Sequence, residues 1–268
     1  MFKAARGIED IYELTTIVNL IILEPDEVGE SGDVSLSGRR AAHLLNVLNV
    51  VPGHQVRVGL LDGPHGVGAV ASVADGTVAL RCTFETNVPA PPPVDLLMAL
   101  PRPKVMRRLW AQVAALGVGQ IILTNAERVE RNYFDTHVLT PACYRPLLVE
   151  GLQQARDTRL PRVFIHRQFK LLVEDELDRA FGNGLRLMAD PSATRAPGPI
   201  VSGSRDERIL LAVGPEGGWN GFERGLLERH HFQPVGMGAR TLRTDTACVA
   251  LLALVHSAVA TRAASGYR

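Results

Sequence analysis

The chain has 268 residues, which allow one large domain or two smaller ones. Hydrophobic residues make up 46% and charged residues 21%, a composition typical of a soluble globular protein. The three cysteines are far apart and form no C-x-x-C pair, so neither a disulfide framework nor a zinc site is indicated. We therefore expect a reduced, cytoplasmic protein without a metal. The net charge of +1 does not by itself indicate a nucleic-acid partner.

Residues 1–17 are expected to be an N-terminal extension ahead of the first domain. An equal alternative is that translation starts at Val18, because a GTG codon can initiate. No positively charged segment followed by an apolar one opens the chain, so no signal peptide is expected. The longest uncharged apolar run, Ala247–Ala260, is too short to span a bilayer and contains His256 and Ser257, so no membrane contact is expected.

Residues 18–88 are predicted to form a small β-rich domain. Its predicted strands are Gln55–Leu61, Val67–Val73 and Thr77–Thr83. The last two are joined at Asp75-Gly76, a dipeptide that is a strong signal for a tight hairpin. A short helix is predicted over Arg39–Val47. A compact β-barrel fits this pattern.

Residues 89–93 are the predicted linker. Four of these five residues are prolines, which cannot continue a helix or a central strand and favour stiff extended backbone. Residues 94–268 then alternate strands with helices, which predicts an α/β domain with a parallel sheet covered on both faces. The predicted strands are Val94–Leu100, Gln120–Thr124, Val163–Ile165, Gly184–Ala189 and Ile209–Val213. The predicted helices are Lys104–Leu116, Tyr144–Ala155 and, with Thr244 as its N-cap, Asp245–Ala263.

Two glycine-rich turns follow short strands near the C-terminus. The first, Gly214–Gly218, lies between the strand Ile209–Val213 and a helix whose start is indicated by a capping box of Asn220 and Glu223. The second is Gly236-Met237-Gly238. Glycine permits close approach of the backbone to a ligand, and turns at the carboxyl edge of an open α/β sheet bind ligands. We interpret the two turns as one small-molecule site, against the alternative of tight structural connections.

The two turns do not match the common phosphate-binding motifs. No G-x-x-x-x-G-K-[ST] sequence occurs, and the second turn lacks the third glycine of a dinucleotide fingerprint, because Thr241 stands there. A ligand held by backbone amides and carbonyls suits adenosine, whose ring edge needs both donors and acceptors.

The G-P-E-G-G sequence at residues 214–218 and the L-R-T-D-T-A sequence at residues 242–247 resemble the signature of the bacterial 16S ribosomal RNA uridine N3-methyltransferases. The resemblance extends over most of the chain after Val18. It implies a small PUA-like β-barrel followed by a SPOUT α/β domain, whose C-terminal trefoil knot binds S-adenosylmethionine. The cofactor-binding residues that it implies are Met188, Val213, Gly214, Pro215, Gly217, Gly218, Met237, Gly238, Leu242 and Thr246.

Arg243 is the predicted catalytic residue. It precedes the N-terminus of the last helix, where anions bind well, and its expected partner is a phosphate or the negative charge that develops on a uracil ring. The alternative is an arginine that ties loops together. Asp245 replaces the usual glutamate of the family with a shorter carboxylate. Glu216, in the first turn, is equally compatible with a structural role and with a substrate contact.

Arg102, Lys104, Arg107 and Arg108 form what we call the basic junction, four positive charges between a predicted strand and a predicted helix. Lysine and arginine contacts to phosphates position an RNA and supply affinity, so we expect these residues to bind RNA, against the alternative of a solvated helix face. Residues 94–268 carry 23 Lys and Arg against 17 Asp and Glu, whereas residues 19–93 carry 4 against 8. An anionic partner should therefore bind mainly to the C-terminal part.

Further positive charge follows the next strands, at Arg128, Arg131, Arg156, Arg159 and Arg162. Arg156 ends a segment that resembles the family's E-Q-x-x-R sequence, and we expect it to contact RNA. Gln153 stands at the glutamate position of that segment, so an acidic role there has no support. In the small domain, His43 begins a segment that resembles H-x-x-x-V-L-R, with Asn49 in place of the basic residue. We expect His43 to contact RNA, although a single histidine is more often a packing residue.

The resemblance therefore implies an enzyme that transfers a methyl group from S-adenosylmethionine to N3 of a uridine in 16S ribosomal RNA, within the 30S subunit. One alternative is a methyltransferase of the same fold that acts on another RNA site, and a second is a non-catalytic RNA-binding protein. The last helix is apolar on nearly every face, whereas one parallel sheet covers only one side of it. We therefore expect a homodimer built around this helix.

Overall fold

A computed structural model describes residues 20–182, 184–205 and 208–265. The predicted N-terminal extension, residues 1–17, lies outside the described residues. The chain divides into two compact units. Of the described residues, the first unit takes those up to Ala90 together with Leu152–Leu160, and the second takes Pro91–Gly151 and those from Pro161 onward.

Within the described residues, the first unit is a five-stranded sheet packed with a helix. Its strands are β1 (Ile21–Leu23), β2 (Asp33–Leu36), β3 (Gln55–Leu60), β4 (His65–Ala74) and β5 (Thr77–Phe84), and its helix is α1 (Gly38–Asn46). The strand order is β1-β3-β4-β5-β2, with β1 parallel to β3 and the other neighbours antiparallel. Alternate apolar residues of the strands pack with Ala41 and Leu44 of α1 into one core.

The hairpin predicted at Asp75-Gly76 is confirmed. Asp75 has a φ of 48° and Gly76 a φ of 72°, as a two-residue type I′ turn requires. Asn49 also has a positive φ, 49°, and asparagine is one of the few non-glycine residues that adopt this conformation readily. This conformation gives a local reason for asparagine at the position where the resembling family carries a basic residue.

The segment Leu152–Leu160 packs within the first unit, which differs from the predicted uninterrupted domain over residues 94–268. Thr158 is fully buried, and its Oγ1 donates a hydrogen bond to Gly63 O at 2.7 Å. A Cβ at Gly59 would lie 2.6 Å from Thr158 Cγ2, so β3 needs glycine at this position for the segment to pack against it. The boundary between the units is therefore crossed three times by the chain.

The second unit is a six-stranded parallel sheet with helices. Its strands are β6 (Val94–Ala99), β7 (Val118–Thr124), β8 (Arg162–His166), β9 (Leu185–Ala189), β10 (Ile209–Val213) and β11 (Gln233–Val235). Its helices are α2 (Pro103–Ala115), α3 (Pro141–Ala155, whose last turn belongs to the first unit), α4 (Phe169–Leu171), α5 (Leu177–Phe181), α6 (Pro197–Gly203), α7 (Gly221–Arg229) and α8 (Thr244–Ser265). A π-helical turn, Leu172–Glu176, joins α4 to α5. The strand order is β11-β9-β10-β6-β7-β8, and every pairing is parallel, as predicted.

The two middle strands of this sheet, β10 and β6, are buried along their whole length. Their near-continuous apolar sequences are typical of parallel strands covered on both faces. Asp95 is the charged residue within β6. It pairs with Arg208, but burial raises the pKa of its carboxyl above the usual value in spite of that ion pair. The pair lies at the amino ends of the strands, away from the predicted ligand turns.

Helix α8 is longer than predicted, because it begins at Thr244, the expected N-cap, and continues beyond Ala263. Its residues Thr244–Ala264 contain an 18-residue window of mean hydropathy 1.7. By length and composition alone the helix is able to cross a membrane, contrary to the expectation from the shorter run Ala247–Ala260. Of that window, 28% is buried.

Candidate functional site

The ends of β9, β10 and β11 lie side by side at one edge of the second sheet, which we call the carboxyl edge. Met188 of β9 is paired with Ala212 of β10 and with Pro234 of β11, so Val213 and Val235 reach the edge at one level. The two glycine turns therefore start from the same edge, on either side of β9. Met188 and Val213 are 0% and 2% exposed, so they offer backbone rather than side-chain groups to a ligand.

The first turn has a defined shape. Gly218 N donates to Pro215 O at 2.8 Å, and the φ of 70° at Gly218 favours glycine. A Cβ at Gly214 would lie 3.1 Å from the backbone N of Trp219 and 3.2 Å from its Nε1, so glycine lets the chain pass close to the indole. Gly214 and Pro215 are buried, whereas Gly217 is exposed and Gly218 is half-buried. Glu216 is exposed as well, so the turn is accessible from residue 216 to residue 218.

The capping box predicted after the first turn is confirmed. Glu223 N donates to Asn220 Oδ1 and Asn220 N donates to Glu223 Oε2, both at 2.8 Å, where α7 begins. The other carboxylate oxygen of Glu223 accepts from Glu127 N at 2.7 Å. Glu223 is 3% exposed, and these two backbone N–H groups stabilise its buried charge. The carboxylate thus joins the loop after β7 to the helix that follows the first turn.

Arg128 contacts the first turn, although its place in the sequence indicated only one of several scattered positive charges. Its Nη1 donates to the carbonyl oxygen of Gly217 and, at 3.4 Å, to that of Gly218. The arginine and Gly217 are 89 positions apart in sequence. No local pattern indicates such a contact, because it depends on the order of the strands.

The second turn packs against the loop that follows β9. Gly236 N donates to Arg195 O at 2.9 Å, and a Cβ at Gly236 would collide with Ala193 O. Gly238 has a φ of 98°, and no atom lies within 4 Å of the place where its Cβ would be. Met237 is half-buried. Gly236 is therefore required by close packing, whereas Gly238 lies in open space.

Asp190, directly after β9, links the loop that follows this strand to α7. Its Oδ1 accepts from Ser192 N at 2.8 Å and from Ser192 Oγ at 2.7 Å, and its Oδ2 lies 3.2 Å from Arg224 Nη1. Burial raises the pKa of this carboxyl, but the hydrogen bonds and the ion pair outweigh burial and hold the pKa below its usual value. The charged carboxylate therefore stabilises the loop that lies beside the second turn.

Arg243 lies at the start of α8 and is accessible to an anionic partner. Its side chain is 78% exposed, and its Nε lies 4.0 Å from Asp245 Oδ1. Its carbonyl accepts from Ala247 N at 2.8 Å, so the residue closes the first turn of the helix. Leu242 and Thr246, which the resemblance assigns to cofactor binding, are also exposed. The guanidinium is therefore accessible, with the Asp245 carboxylate as its charged neighbour.

The basic junction is exposed at the N-terminal end of α2, but its members differ in their partners. Arg108 Nη2 donates to Asp245 Oδ2 at 2.8 Å, which connects α2 to the start of α8. Arg102, Lys104 and Arg107 are also exposed. Arg108 therefore has a structural contact in addition to the predicted RNA contact.

His43 and Arg156, the other predicted RNA-binding residues, lie in the first unit. The side chain of His43 is exposed on α1, which argues against a packing role. Arg156 is exposed and has a φ of 57° where α3 ends. Its carbonyl lies 3.1 Å from His65 Nε2, so its backbone has a structural role whatever its side chain binds.

Four buried side-chain atoms have no hydrogen-bond partner within the described part of the chain, and three of them lie at or after the ends of strands. These three are Thr124 Oγ1 and Asn125 Oδ1 at the end of β7, and Trp219 Nε1 after β10; the fourth is His256 Nε2 in α8. An unsatisfied buried group costs about 1–3 kcal/mol, so such atoms are typical of sites that bind a ligand or water. The described residues contain no group of three or more His, Cys, Asp or Glu side chains suited to a metal ion.

Comparison with known proteins shows relatives over nearly the whole chain. Residues 88–256 match the family model described as RNA methyltransferase domain. The ribosomal RNA small subunit methyltransferase E of Treponema pallidum is 28% identical over 248 residues, which cover 89% of this chain and 90% of the relative. A protein of the same name from Synechocystis is 28% identical over 246 residues, which cover 88% of this chain and 77% of the relative.

A solved structure of ribosomal RNA small subunit methyltransferase E from Neisseria gonorrhoeae, bound to S-adenosyl methionine, is similar with a TM-score of 0.72. The two chains are 22% identical, and the match covers 90% of this chain and 98% of the other. This likeness confirms the predicted mixed α/β fold. The family match confirms the resemblance to RNA methyltransferases that the two motifs indicated. Because the matched residues make up more than half of the chain, the chain belongs to the RNA methyltransferase domain family.

Proposed function

We propose that this protein transfers a methyl group from S-adenosylmethionine to N3 of a uridine in 16S ribosomal RNA. The family gives RNA methyl transfer as the reaction class. The names of the relatives from Treponema pallidum and Synechocystis point to ribosomal RNA of the small subunit, and the structure from Neisseria gonorrhoeae holds S-adenosyl methionine. The observation that carries the proposal is the pair of glycine turns at one edge of the parallel sheet.

The residues at the carboxyl edge fit S-adenosylmethionine. Gly218 and Gly238 have positive φ and open space where a side chain would project, so a ligand can approach the backbone of both turns. Backbone amides and carbonyls supply the donors and acceptors that an adenine edge needs. Trp219 Nε1 adds a buried donor without a partner among the described residues. We assign cofactor binding to Met188, Val213, Gly214, Pro215, Gly217, Gly218, Met237, Gly238, Leu242 and Thr246.

The cofactor, when bound, supplies the methyl group. The protein has to bind the unpaired base and stabilise the negative charge that forms on it. N3 of uridine carries a weakly acidic proton and is paired within helices, so the base must leave its stack. Arg243 is assigned to stabilise the negative charge that develops on the uracil oxygens as that proton is lost. Its exposure at the start of α8 leaves room for such a partner. Alignment of N3 with the methyl carbon supplies much of the rate.

The proposal includes a PUA-like barrel for the first unit and a trefoil knot in the second. The five strands that share one core support the barrel. In the proposed knot the second turn would lie against the loop after β9, and Gly236 is packed tightly on that loop. We propose domain limits of 18–88 and 94–268 joined by residues 89–93, with the segment Leu152–Leu160 added to the first unit. The proposed substrate is the assembled 30S subunit in the cytoplasm.

The test is tritium transfer from labelled S-adenosylmethionine to 30S subunits that lack the modification, followed by nucleoside mapping. The expected product is N3-methyluridine at one position of the 16S RNA. Label on another atom or another RNA would support a methyltransferase of the same fold with a different target. Cofactor binding without any transfer would support a non-catalytic RNA-binding protein. Free 16S RNA assayed in parallel shows whether the assembled subunit is required.

Changing Arg102 and Arg107 together to alanine is expected to weaken RNA binding and flatten its salt dependence. Each lost phosphate contact lowers the slope of log K against log salt by about 0.7–0.9, and cofactor affinity should stay unchanged. Arg108 is kept because of its carboxylate partner at the start of α8. Fluorescence anisotropy at several salt concentrations measures the slope. A control with Arg179→Ala and Arg229→Ala, exposed at the ends of α5 and α7, removes the same charge elsewhere. An unchanged slope would support a solvated helix face.

We propose a homodimer in which α8 lies at the interface. Leu254 is 44% exposed, and Ala253 and Ser257 beside it are exposed as well. An apolar helix that is left uncovered on one side is typical of an interaction surface. Small residues on that side allow two helices to approach closely, and a two-fold contact would bury the same surface on both subunits.

Leu254→Arg is therefore expected to yield monomers or aggregates and to abolish activity, because the interface would have to bury an unpaired charge. Light scattering at micromolar concentration measures the mass of both proteins. Leu171→Arg is the matched control, because Leu171 is 46% exposed on α4. This variant should have the same mass in solution as the wild type. A wild-type protein that is a stable monomer under these conditions would contradict the dimer.

A further inference from the structure

We propose that Arg128 is a positioning residue that sets the backbone orientation of the first glycine turn and thereby its affinity for S-adenosylmethionine. The proposal rests on the proposed function, because it takes this turn as part of the cofactor site. It goes beyond the motifs, since Arg128 lies in the loop after β7 and belongs to neither glycine-rich sequence.

Two contacts from the loop after β7 bracket the first turn. Arg128 Nη1 donates to the carbonyl oxygens of Gly217 and Gly218. One residue earlier, Glu127 N donates at 2.7 Å to Glu223, whose carboxylate also closes the capping box of α7. The side-chain contact therefore holds the glycines, and the backbone contact holds the start of the helix behind them.

The glycine pair needs such an anchor because glycine has the greatest backbone freedom of all residues. Ordering one residue costs about 1–2 kcal/mol of conformational entropy, which ligand binding must supply if the turn is mobile. The carbonyl and the N–H of a peptide group point in opposite directions. When Arg128 holds the carbonyl of Gly217, it also directs Gly218 N–H toward Pro215 O, the bond that closes the turn. Its contact with the carbonyl of Gly218 directs Trp219 N–H to the opposite side.

The structure gives different reasons for the two glycines. A Cβ at residue 217 would lie 2.7 Å from Arg128 Cδ and 3.2 Å from its Nη1, so a side chain there would displace the arginine from its present position. At Gly218 no atom lies within 4 Å, and the positive φ is the requirement. Because only residue 217 contacts Arg128 in this way, the effects of substitutions at these two positions on cofactor affinity should depend on each other.

Arg128 is exposed, so its two hydrogen bonds should add little to the stability of the whole fold. Their effect is expected at the turn itself. Arg128→Ala should leave the melting temperature close to that of the wild type and weaken S-adenosylmethionine binding by about tenfold or more. The KM for the cofactor should rise, whereas kcat at saturating cofactor should change little, because the chemical groups remain in place.

The experiment is calorimetric titration of S-adenosylmethionine into the full chain and its variants. Arg128→Lys should recover part of the affinity, because an ammonium group can donate to one carbonyl but lacks the fork of a guanidinium group. Arg131→Ala, which removes an exposed charge from the same loop, should bind the cofactor as the wild type does. Wild-type affinity in Arg128→Ala would overturn this proposal alone. A wild-type protein that does not bind the cofactor would overturn the proposed function and this proposal with it.

A double-mutant cycle with Gly217→Ala tests the contact directly. In the wild-type background this change should displace Arg128 and lower cofactor affinity by about tenfold. Combined with Arg128→Ala, it should lower affinity by no more than about twofold further, because the group that it displaces is already absent. Equal effects in both backgrounds would show that Arg128 does not position the turn.

Discussion

Gly218→Val is expected to abolish S-adenosylmethionine binding, with a loss on the order of 100-fold or more, while the protein still folds. Gly218 has a φ of 70°, a region in which a β-branched residue is a genuine outlier. Since no atom lies within 4 Å of a Cβ at this position, the effect comes from the backbone rather than from a clash. The turn has to change shape, and its peptide groups then no longer meet the ligand. Calorimetry measures the affinity, and thermal unfolding shows that the variant is folded.

The matched control for this change is Gly182→Val. Gly182 has a φ of 67° and the same open space around its Cβ position, but it lies at the end of α5. Both variants should be destabilised by about 1–3 kcal/mol, the cost of a sparsely populated conformation of positive φ for a residue with a side chain. Only the variant at residue 218 should lose the cofactor. Normal affinity in that variant would remove the first turn from the cofactor site.

Arg243→Ala is expected to lower the rate of methyl transfer by about 10²–10³-fold, the usual effect of removing one donor that stabilises charge in the transition state. Cofactor affinity should change far less, because the interaction is made mainly with the reacting base. The side chain is 78% exposed, so the melting temperature should remain near that of the wild type. Single-turnover transfer to 30S subunits, with calorimetry of the cofactor, separates the two effects.

Arg240→Ala is the control for the loss of charge near Arg243, because Arg240 is exposed three positions earlier. Both variants could slow methyl transfer equally, with the wild-type rate restored at low salt. That result would mean that the two arginines only attract RNA and that Arg243 does not act in the chemical step. Transfer at the wild-type rate by Arg243→Ala would likewise remove the catalytic assignment.

The region around the first turn was the most predictable from sequence. Strand β10 has the predicted bounds, Ile209–Val213, because a short apolar run between a loop and a glycine turn has few other interpretations. The start of α7 followed from Asn220 and Glu223, whose reciprocal hydrogen bonds need only the local spacing of three residues. The parallel sheet followed from the alternation of strands and helices.

Contacts between distant segments were not predictable, because sequence spacing carries no information on them. The hydrogen bonds of Arg128 to Gly217 and Gly218 depend on which strands lie near β10. The pairing of Arg108 with Asp245 likewise joins two helices that are far apart in the chain. Short strands such as β1 and β2, and the interrupted helix over residues 169–181, have too few residues for a clear period.

The late position of Leu152–Leu160 in the sequence has a consequence for synthesis on the ribosome. The first unit uses this segment to bury Thr158 and to satisfy Leu20 N, which donates to Gln153 O at 3.1 Å. The segment leaves the ribosome roughly 60 residues after Ala90, on the order of 3–12 s later at 5–20 residues per second. All five strands of the first sheet are made before this segment, but the first unit stays incomplete while β6 and β7 of the second sheet are synthesised. A fragment that ends at Ala90 would keep that side of β3 exposed permanently.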